Sequence, residues 1–330
     1  MAIEPEYFVY AAVEQSSYVQ GFRDGVNALT DKLLVQPASA PSRIAEAATA
    51  TWGLLACKVP QSRFSGLGIK IAVLDTGLDL DHPDFQGRSI TSKSFVDGQD
   101  VQDGNGHGTH CIGTACGPAT PPLQPPRYGI ASNALILAGK VLNNLGTGTD
   151  SSILAGIDWA LGNGCQIVSM SLSRGVQPGE PPQQNYELAG ATALQKGCII
   201  IAAAGNSSMR PFLTAPVGSP ANASTIMAVA SVGETLGISF FSNGGVNSNG
   251  GEVNIAGPGE NVYSTIPMPR RYGLKSGTSQ ATPHVAGSAA LWAESDPALR
   301  GRALWKRLED ASKNIGLSEQ DAGSGLVQAP

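Results

Sequence analysis

The sequence predicts an α/β fold, a mainly parallel sheet with helices on both faces. Two observations carry this. From Trp52 onward, short apolar β-branched runs alternate with stretches of helical periodicity, and strand–helix–strand repetition demands right-handed crossovers that cover both faces of a parallel sheet. Glycine accounts for 41 of 330 residues while charged residues make up only 14%, a composition of tight turns around a large core.

The elements follow in order. Residues 1–36 carry an amphipathic helix with Phe22, Val26, Leu29 and Leu33 on one face, and Pro37–Ala50 is a Pro/Ala/Ser-rich linker. Residues 1–50 therefore read as an arm, and 51–330 as one domain. Ile69–Leu74 is a buried strand ending at Asp75, and Leu135–Val141 is a second strand. Over Ser152–Leu161, Ile153, Leu154, Ile157 and Leu161 share a helical face, with Asp150 or Ser151 placed to cap it and Gly162-Asn163-Gly164 to end it. Ile167–Leu172 is a third strand, Tyr186–Gln195 a helix stopped by Gly197, Cys198–Ala203 a fourth strand and Ile226–Val232 a fifth. Ala281–Ala293, rich in alanine and apolar throughout, reads as a buried helix just past Ser279.

Composition excludes several function classes. With 21 Lys+Arg against 26 Asp+Glu the net charge is −5, and no basic cluster offers a nucleic-acid surface. No apolar run approaches the ~20 residues that span a bilayer. Met1–Tyr10 has no basic region leading into an apolar stretch, so a secretory signal is not expected in this chain, and the compartment stays open. The five cysteines, Cys57, Cys111, Cys116, Cys165 and Cys198, include no Cys-x-x-Cys pair that would suggest zinc. Cys165 and Cys198 would approach one another if their strands were neighbours, but buried free thiols are the better reading.

Three strings carry chemistry: Asp75-Thr76-Gly77 after a strand, His107-Gly108-Thr109-His110 in a glycine-rich setting, and Gly277-Thr278-Ser279-Gln280-Ala281-Thr282-Pro283-His284. A serine hydroxyl needs a base within hydrogen-bond reach. His107 can take the proton of Ser279, and Asp75, at the rigid end of a strand, can fix the imidazole tautomer. Asn206, in Ala202-Ala203-Ala204-Gly205-Asn206, can donate its side-chain amide to developing negative charge. Alone, each string is weak. Asp-Thr-Gly is usually a turn, and an aspartic peptidase would need a second copy, which the sequence lacks. His-x-x-His without the glutamate of His-Glu-x-x-His is a poor metal motif.

Together, in the chain order Asp, His, Ser, these strings resemble the subtilisin-like serine peptidases, whose triad order is a standard example of convergent geometry. The resemblance runs from about Trp52 to Gly325. It implies a three-layer, mainly parallel seven-stranded sheet and a serine endopeptidase acting through an acyl-enzyme on Ser279, with Asn206 in an oxyanion hole. It also implies polypeptide substrates, a monomer, no cofactor for the chemistry, and secretion as the favoured location. Ser171, Leu172 and Ser173 would pair with substrate and wall one side of the S1 pocket, with Ala203, Ala204 and Gly205 on the other. Gly218 would lie at its base and Ser219–Pro220 where the family carries a cis peptide. Such a pocket would favour large apolar P1 residues. Gln280 stands where the family usually has methionine and Ser173 where it has glycine, and Ser173 can crowd the pocket mouth. Pro118–Pro126 replaces a common calcium loop, whereas Asp97, Asp100, Gln102 and Asp103 resemble a loop that binds structural calcium in thermitase-like relatives, though a solvated acidic turn fits them equally well. For Asp79, Asp81, His82 and Asp84 a structural role is favoured over a metal. Residues 1–50 would be a pro-region remnant or an arm packing outside the catalytic unit. The alternatives to a broad endopeptidase are a narrow-specificity maturation peptidase or transpeptidase and, from another class, a catalytically silent peptide-binding module.

Overall fold

A computed structural model describes residues 4–12, 49–123 and 125–330. The expected helix at Phe22–Leu33, and all of the linker before Thr49, lie outside them. In chain order the strands are β1 (Phe8–Ala11), β2 (Lys70–Asp75), β3 (Ile90–Ser94), β4 (Leu135–Lys140), β5 (Thr147–Thr149), β6 (Ile167–Met170), β7 (Leu172–Ser173), β8 (Ile199–Ala203), β9 (Met227–Val232), β10 (Ile255–Pro258), β11 (Val262–Thr265) and β12 (Tyr272–Lys275). The helices are α1 (Trp52–Ala56), α2 (His107–Cys116), α3 (Asp150–Gly162), α4 (Gln184–Gln195), α5 (Thr278–Ser295), α6 (Arg302–Asp310) and the single turn α7 (Glu319–Ala322).

Seven strands in the order β10-β9-β8-β6-β2-β4-β3 form one parallel sheet. The central strands are apolar on both faces, as a sheet covered twice must be: Ile71, Ala72, Val73 and Leu74 of β2 and Ile199, Ile200 and Ile201 of β8 are all buried. Helices α2 and α5 pack together on one side, and α3 and α4 on the other. Strand progression reverses about β2, with β3 and β4 on one side and β6, β8, β9 and β10 on the other. A crevice opens at the carboxyl ends of the strands where such a reversal occurs, and Asp75 leaves the sheet there.

Several local expectations shift by a residue or two. The cap of α3 is Thr149 rather than Asp150 or Ser151: its hydroxyl accepts from Ser152 N–H while the Ser152 hydroxyl accepts from Thr149 N–H, a reciprocal capping box. Helix α5 starts at Thr278, so Ser279 lies inside its first turn. Pro283 sits within α5 and has no N–H for the Ser279 carbonyl. That carbonyl instead accepts from the Ser171 hydroxyl at 2.8 Å and the Cys111 thiol at 3.6 Å, which ties the nucleophile's turn to β6–β7 and α2. All five cysteines are free and buried.

Glu4–Ala12, the described part of the expected arm, docks on the main domain: β1 is the middle strand of a separate antiparallel sheet, β5-β1-β7. Phe8, Val9 and Tyr10 pair with Thr149, Gly148 and Thr147, and Tyr10 and Ala11 also pair with Ser173 and Leu172. Two short edge segments of the main domain leave a strand-wide slot, and the unpaired backbone groups along it are satisfied by this segment.

Candidate active site

The structure pairs Asp75 with His107 directly and Ser279 with Asn206 through a shared partner, the Ala12 carbonyl. Asp75, the last residue of β2, accepts from His107 Nδ1 at 2.7 Å and from Thr76 N–H at 2.7 Å through the same oxygen. Asp75, His107 and Ser279 are all fully buried.

Asp103 sets the orientation of His107. One of its oxygens accepts from Asn105 N–H, Gly106 N–H and the Thr76 hydroxyl, and the other from both the N–H and hydroxyl of Thr109. It thus caps α2 from outside the helix and ties its first turn to the Asp75 loop. Gly108 is required there, because a Cβ would lie 2.2 Å from the Gly77 carbonyl. Cys111, one turn beyond His107, packs beneath it with Sγ 3.9 Å from Nδ1. Burial first, then the Asp75 charge, pushes the Cys111 thiol well above its usual range, so it stays protonated and apolar. Neither Asp103 nor Cys111 was singled out for these tasks, although Cys111 stands four residues after His107 and therefore on the same helical face.

Asn206 lies just past β8. Its Oδ1 accepts from Thr278 N–H at 2.9 Å and the Thr278 hydroxyl at 2.8 Å, which turns the amide nitrogen toward Ser279. There Asn206 Nδ2 donates to the carbonyl of Ala12, which also accepts from Ser279 Oγ at 2.5 Å. Ala12 N–H in turn donates to the Ser171 carbonyl at 3.1 Å. Ser279 Oγ bonds Ser171 O as well, at 3.0 Å, and His107 Nε2 is buried without a hydrogen-bond partner among the described residues. The Ala12 carbonyl, one residue past β1, therefore rests between the hydroxyl and the amide. Gly277 permits this, since at φ +153° a Cβ would sit 2.7 Å from Ala12 O.

The expected pocket residues gather beside Ala12. Leu172 and Ser173 form β7, Ala203 ends β8 with Ala204 and Gly205 just past it, and Ser219–Pro220 is a cis peptide. Ser173 fills the space between the walls: its Oγ lies 2.2 Å from where a Cβ on Gly218 would stand and 3.2 Å from one on Gly205.

The calcium expectation does not fit the donor set. Both oxygens of Asp103 are taken by donors of the loop before α2, of Thr76 and of Thr109, as above. Asp100 Oδ1 accepts from Gln102 N–H, and Gln102 turns its Nε2 toward Asp79 and accepts from Leu80 N–H. Asp97, Asp100, Gln102 and Asp103 thus do not converge on one point. Among the described residues, the one grouping of three acidic, His or Cys side chains close enough for a metal is Asp75, His107 and Cys111, already accounted for by the hydrogen bonds above. Of Asp79, Asp81, His82 and Asp84, three side chains are buried and hydrogen-bonded within the fold, with His82 Nε2 2.9 Å from the Arg271 carbonyl, while Asp81 is exposed. Asp79 accepts from Gln102 Nε2 and Met268 N–H, and Asp84 from the hydroxyls of Tyr128 and Tyr272.

Residues 66–325 match the model of the Subtilase family. Subtilisin Savinase of Lederbergia lenta is 37% identical over 283 residues, covering 84% of this chain and 96% of its own length. Thermitase of Thermoactinomyces vulgaris is 41% identical over 230 residues, covering 69% of this chain and 76% of its own. Among solved structures, a cold-adapted subtilisin-like serine proteinase superposes with a TM-score of 0.71 at 31% identity, over 86% of this chain and 99% of that one. Sphericase gives 0.70 at 31% identity, over 82% and 94%.

Proposed function

The chain belongs to the subtilase family of serine endopeptidases, and we propose that it hydrolyses polypeptides by acyl transfer through Ser279 with a preference for small P1 residues. The observation that carries this reading is the Ala12 carbonyl, held by Ser279 Oγ and Asn206 Nδ2 beside the His107–Asp75 pair. A substrate carbonyl in that position meets the nucleophile and the amide together.

In the step proposed, Ser279 Oγ bonds to the carbonyl carbon as its proton passes to His107 Nε2. Negative charge on the oxygen is received by Asn206 Nδ2 and by Ser279 N–H, an unused donor of the first turn of α5. The C–N bond then breaks, His107 returns the proton to the leaving amine, and the ester remains on Ser279. Water repeats the sequence, giving the carboxylic acid and restoring the serine. Asp75 keeps Nδ1–H in place and stabilises the imidazolium throughout.

Substrate backbone is taken up as β1 is, between β5 and β7. A small P1 residue, in place of the large apolar one expected from the sequence, is favoured by the Ser173 hydroxyl between Gly205 and Gly218. Glu4–Ala12, seated as P9–P1, supports reading the N-terminal segment as a built-in pro-region that competes with other polypeptides. A fluorophosphonate that labels wild-type protein but not Ser279→Ala tests the nucleophile, and a peptide-library cleavage profile tests P1. Absence of labelling in protein freed of residues 1–12 would favour the silent binding module instead.

A further inference from the structure

The contacts of the N-terminal segment do not stop at the fourth residue before Ala12. With Ala12 as P1, Tyr7 is P6, Glu6 is P7 and Glu4 is P9. The Tyr7 backbone exchanges hydrogen bonds with Asp150: its N–H donates to Asp150 Oδ2 at 3.0 Å and its carbonyl accepts from Asp150 N–H at 3.2 Å. Asp150 is 6% exposed and is held by the Tyr186 hydroxyl at 2.7 Å and Gln183 Nε2 at 3.0 Å. The guanidinium of Arg174, itself paired with Glu180 at 2.8 Å, lies 4.1 Å from the centre of the Tyr7 ring. The Glu6 carboxylate accepts from the Ser151 hydroxyl in the first turn of α3. The Glu4 carboxylate accepts from Gln184 N–H at 2.9 Å and Asn185 N–H at 3.3 Å, the first two residues of α4. Glu4 thus caps the N-terminal N–H groups of α4 and Glu6 meets a side-chain hydroxyl in the first turn of α3, both from the segment leading into β1, with a buried carboxylate and a cation–ring contact between them.

We propose that the substrate groove continues into an exosite, built from Asp150, Arg174 and the first turns of α3 and α4, which selects polypeptides carrying acidic residues at P7 and P9 and an aromatic residue at P6. Its resident occupant is Glu4–Ala12. The proposal rests on the peptidase reading above. It makes the enzyme a reader of extended acidic leaders as well as of the P1 residue. Each carboxylate on a helix N-terminus contributes a few-fold, and the two with the ring contact about tenfold at low salt.

The test uses the full chain and two fluorogenic peptides: Glu-Pro-Glu-Tyr-Phe-Val-Tyr-Ala-Ala followed by a reporter, and the same peptide with both Glu as Gln and the first Tyr as Ala. Because a resident segment competes equally with both, the ratio of their kcat/KM reads the exosite regardless of occupancy. We expect about tenfold in favour of the acidic peptide at low salt, narrowing in 1 M NaCl, and a few-fold smaller ratio in Arg174→Ala. A ratio near one, or one indifferent to both salt and Arg174→Ala, overturns the exosite while leaving the peptidase standing. If neither peptide is cut by the full chain or by protein freed of residues 1–12 after folding, the peptidase reading falls, and calorimetric titration of the freed protein with the two nonapeptides without reporter gives the binding ratio that decides the exosite.

Discussion

Replacing Ser173 by glycine should open the S1 pocket. In the structure the Ser173 hydroxyl occupies the space between the Gly218 base and the Gly205 wall, where any Cβ on Gly218 would collide with it at 2.2 Å. Removing Cβ and Oγ vacates that space without touching Asp75, His107, Ser279 or Asn206. A leucine at P1 carries three more carbons than alanine. At about 0.8 kcal/mol per buried methylene, seating them stabilises the transition state by about 2 kcal/mol, or ~30-fold in kcat/KM. The assay compares tetrapeptide reporters ending in Ala, Leu and Phe on wild type and Ser173→Gly. Wild type should prefer Ala, and the variant should gain about 30-fold on Leu relative to Ala. A wild-type enzyme that already prefers Leu or Phe, or a variant with an unchanged profile, would show that the hydroxyl swings aside at negligible cost and that the pocket argument is wrong.

Asn206→Ala should lower kcat by roughly 10²–10³ with little change in KM, since the amide is needed where negative charge develops; a comparable rise in KM would reassign it to ground-state binding. Ser279→Ala, His107→Ala and their double variant should lose similar activity, because neither group acts without the other; losses that multiplied would contradict the proton relay. Truncation of residues 1–12 from folded protein should raise the rate on tetrapeptide reporters, the reverse of what a segment needed for catalysis would do. Burial lowers the pKa of His284 to about 4 and that of His110 to about 3. The unfolded chain therefore binds protons below its own value near 6.5 that the folded protein refuses. Stability should fall as pH drops from 6.5 toward 4, with His284 alone contributing about 3 kcal/mol. Urea unfolding at pH 7 and pH 4.5 measures this, and a slope unaltered in His284→Gln would mean that other groups cause it.

How much was legible in the sequence depended on how local the cause was. The runs Ile69–Leu74 and Cys198–Ala203 announced buried strands because parallel strands covered on both faces are apolar throughout, and their pairing adjusted only the ends. Asp75 and Asn206 were legible as site candidates because groups at strand carboxyl ends collect at one crevice. Strand β5 escaped notice, since Thr147-Gly148-Thr149 is too short to show any period. The place of β1 escaped as well, because Ser279 and Ala12 meet across 267 residues and no spacing encodes that contact. The reading of Ser173 changed for a related reason. Its identity marked a departure from the family, but whether one hydroxyl narrows a pocket depends on where the Gly205 and Gly218 backbones stand opposite it. By itself the sequence determined which groups are candidates for acid, base and nucleophile, because their chemistry belongs to residue type and chain order. Only the tertiary structure showed that Glu4–Ala12 lies between β5 and β7, that the Ser173 hydroxyl faces Gly205 and Gly218, and that both oxygens of Asp103 are taken by hydrogen bonds at the start of α2. Those outcomes depend on distances between segments far apart in the chain, which only packing brings into contact.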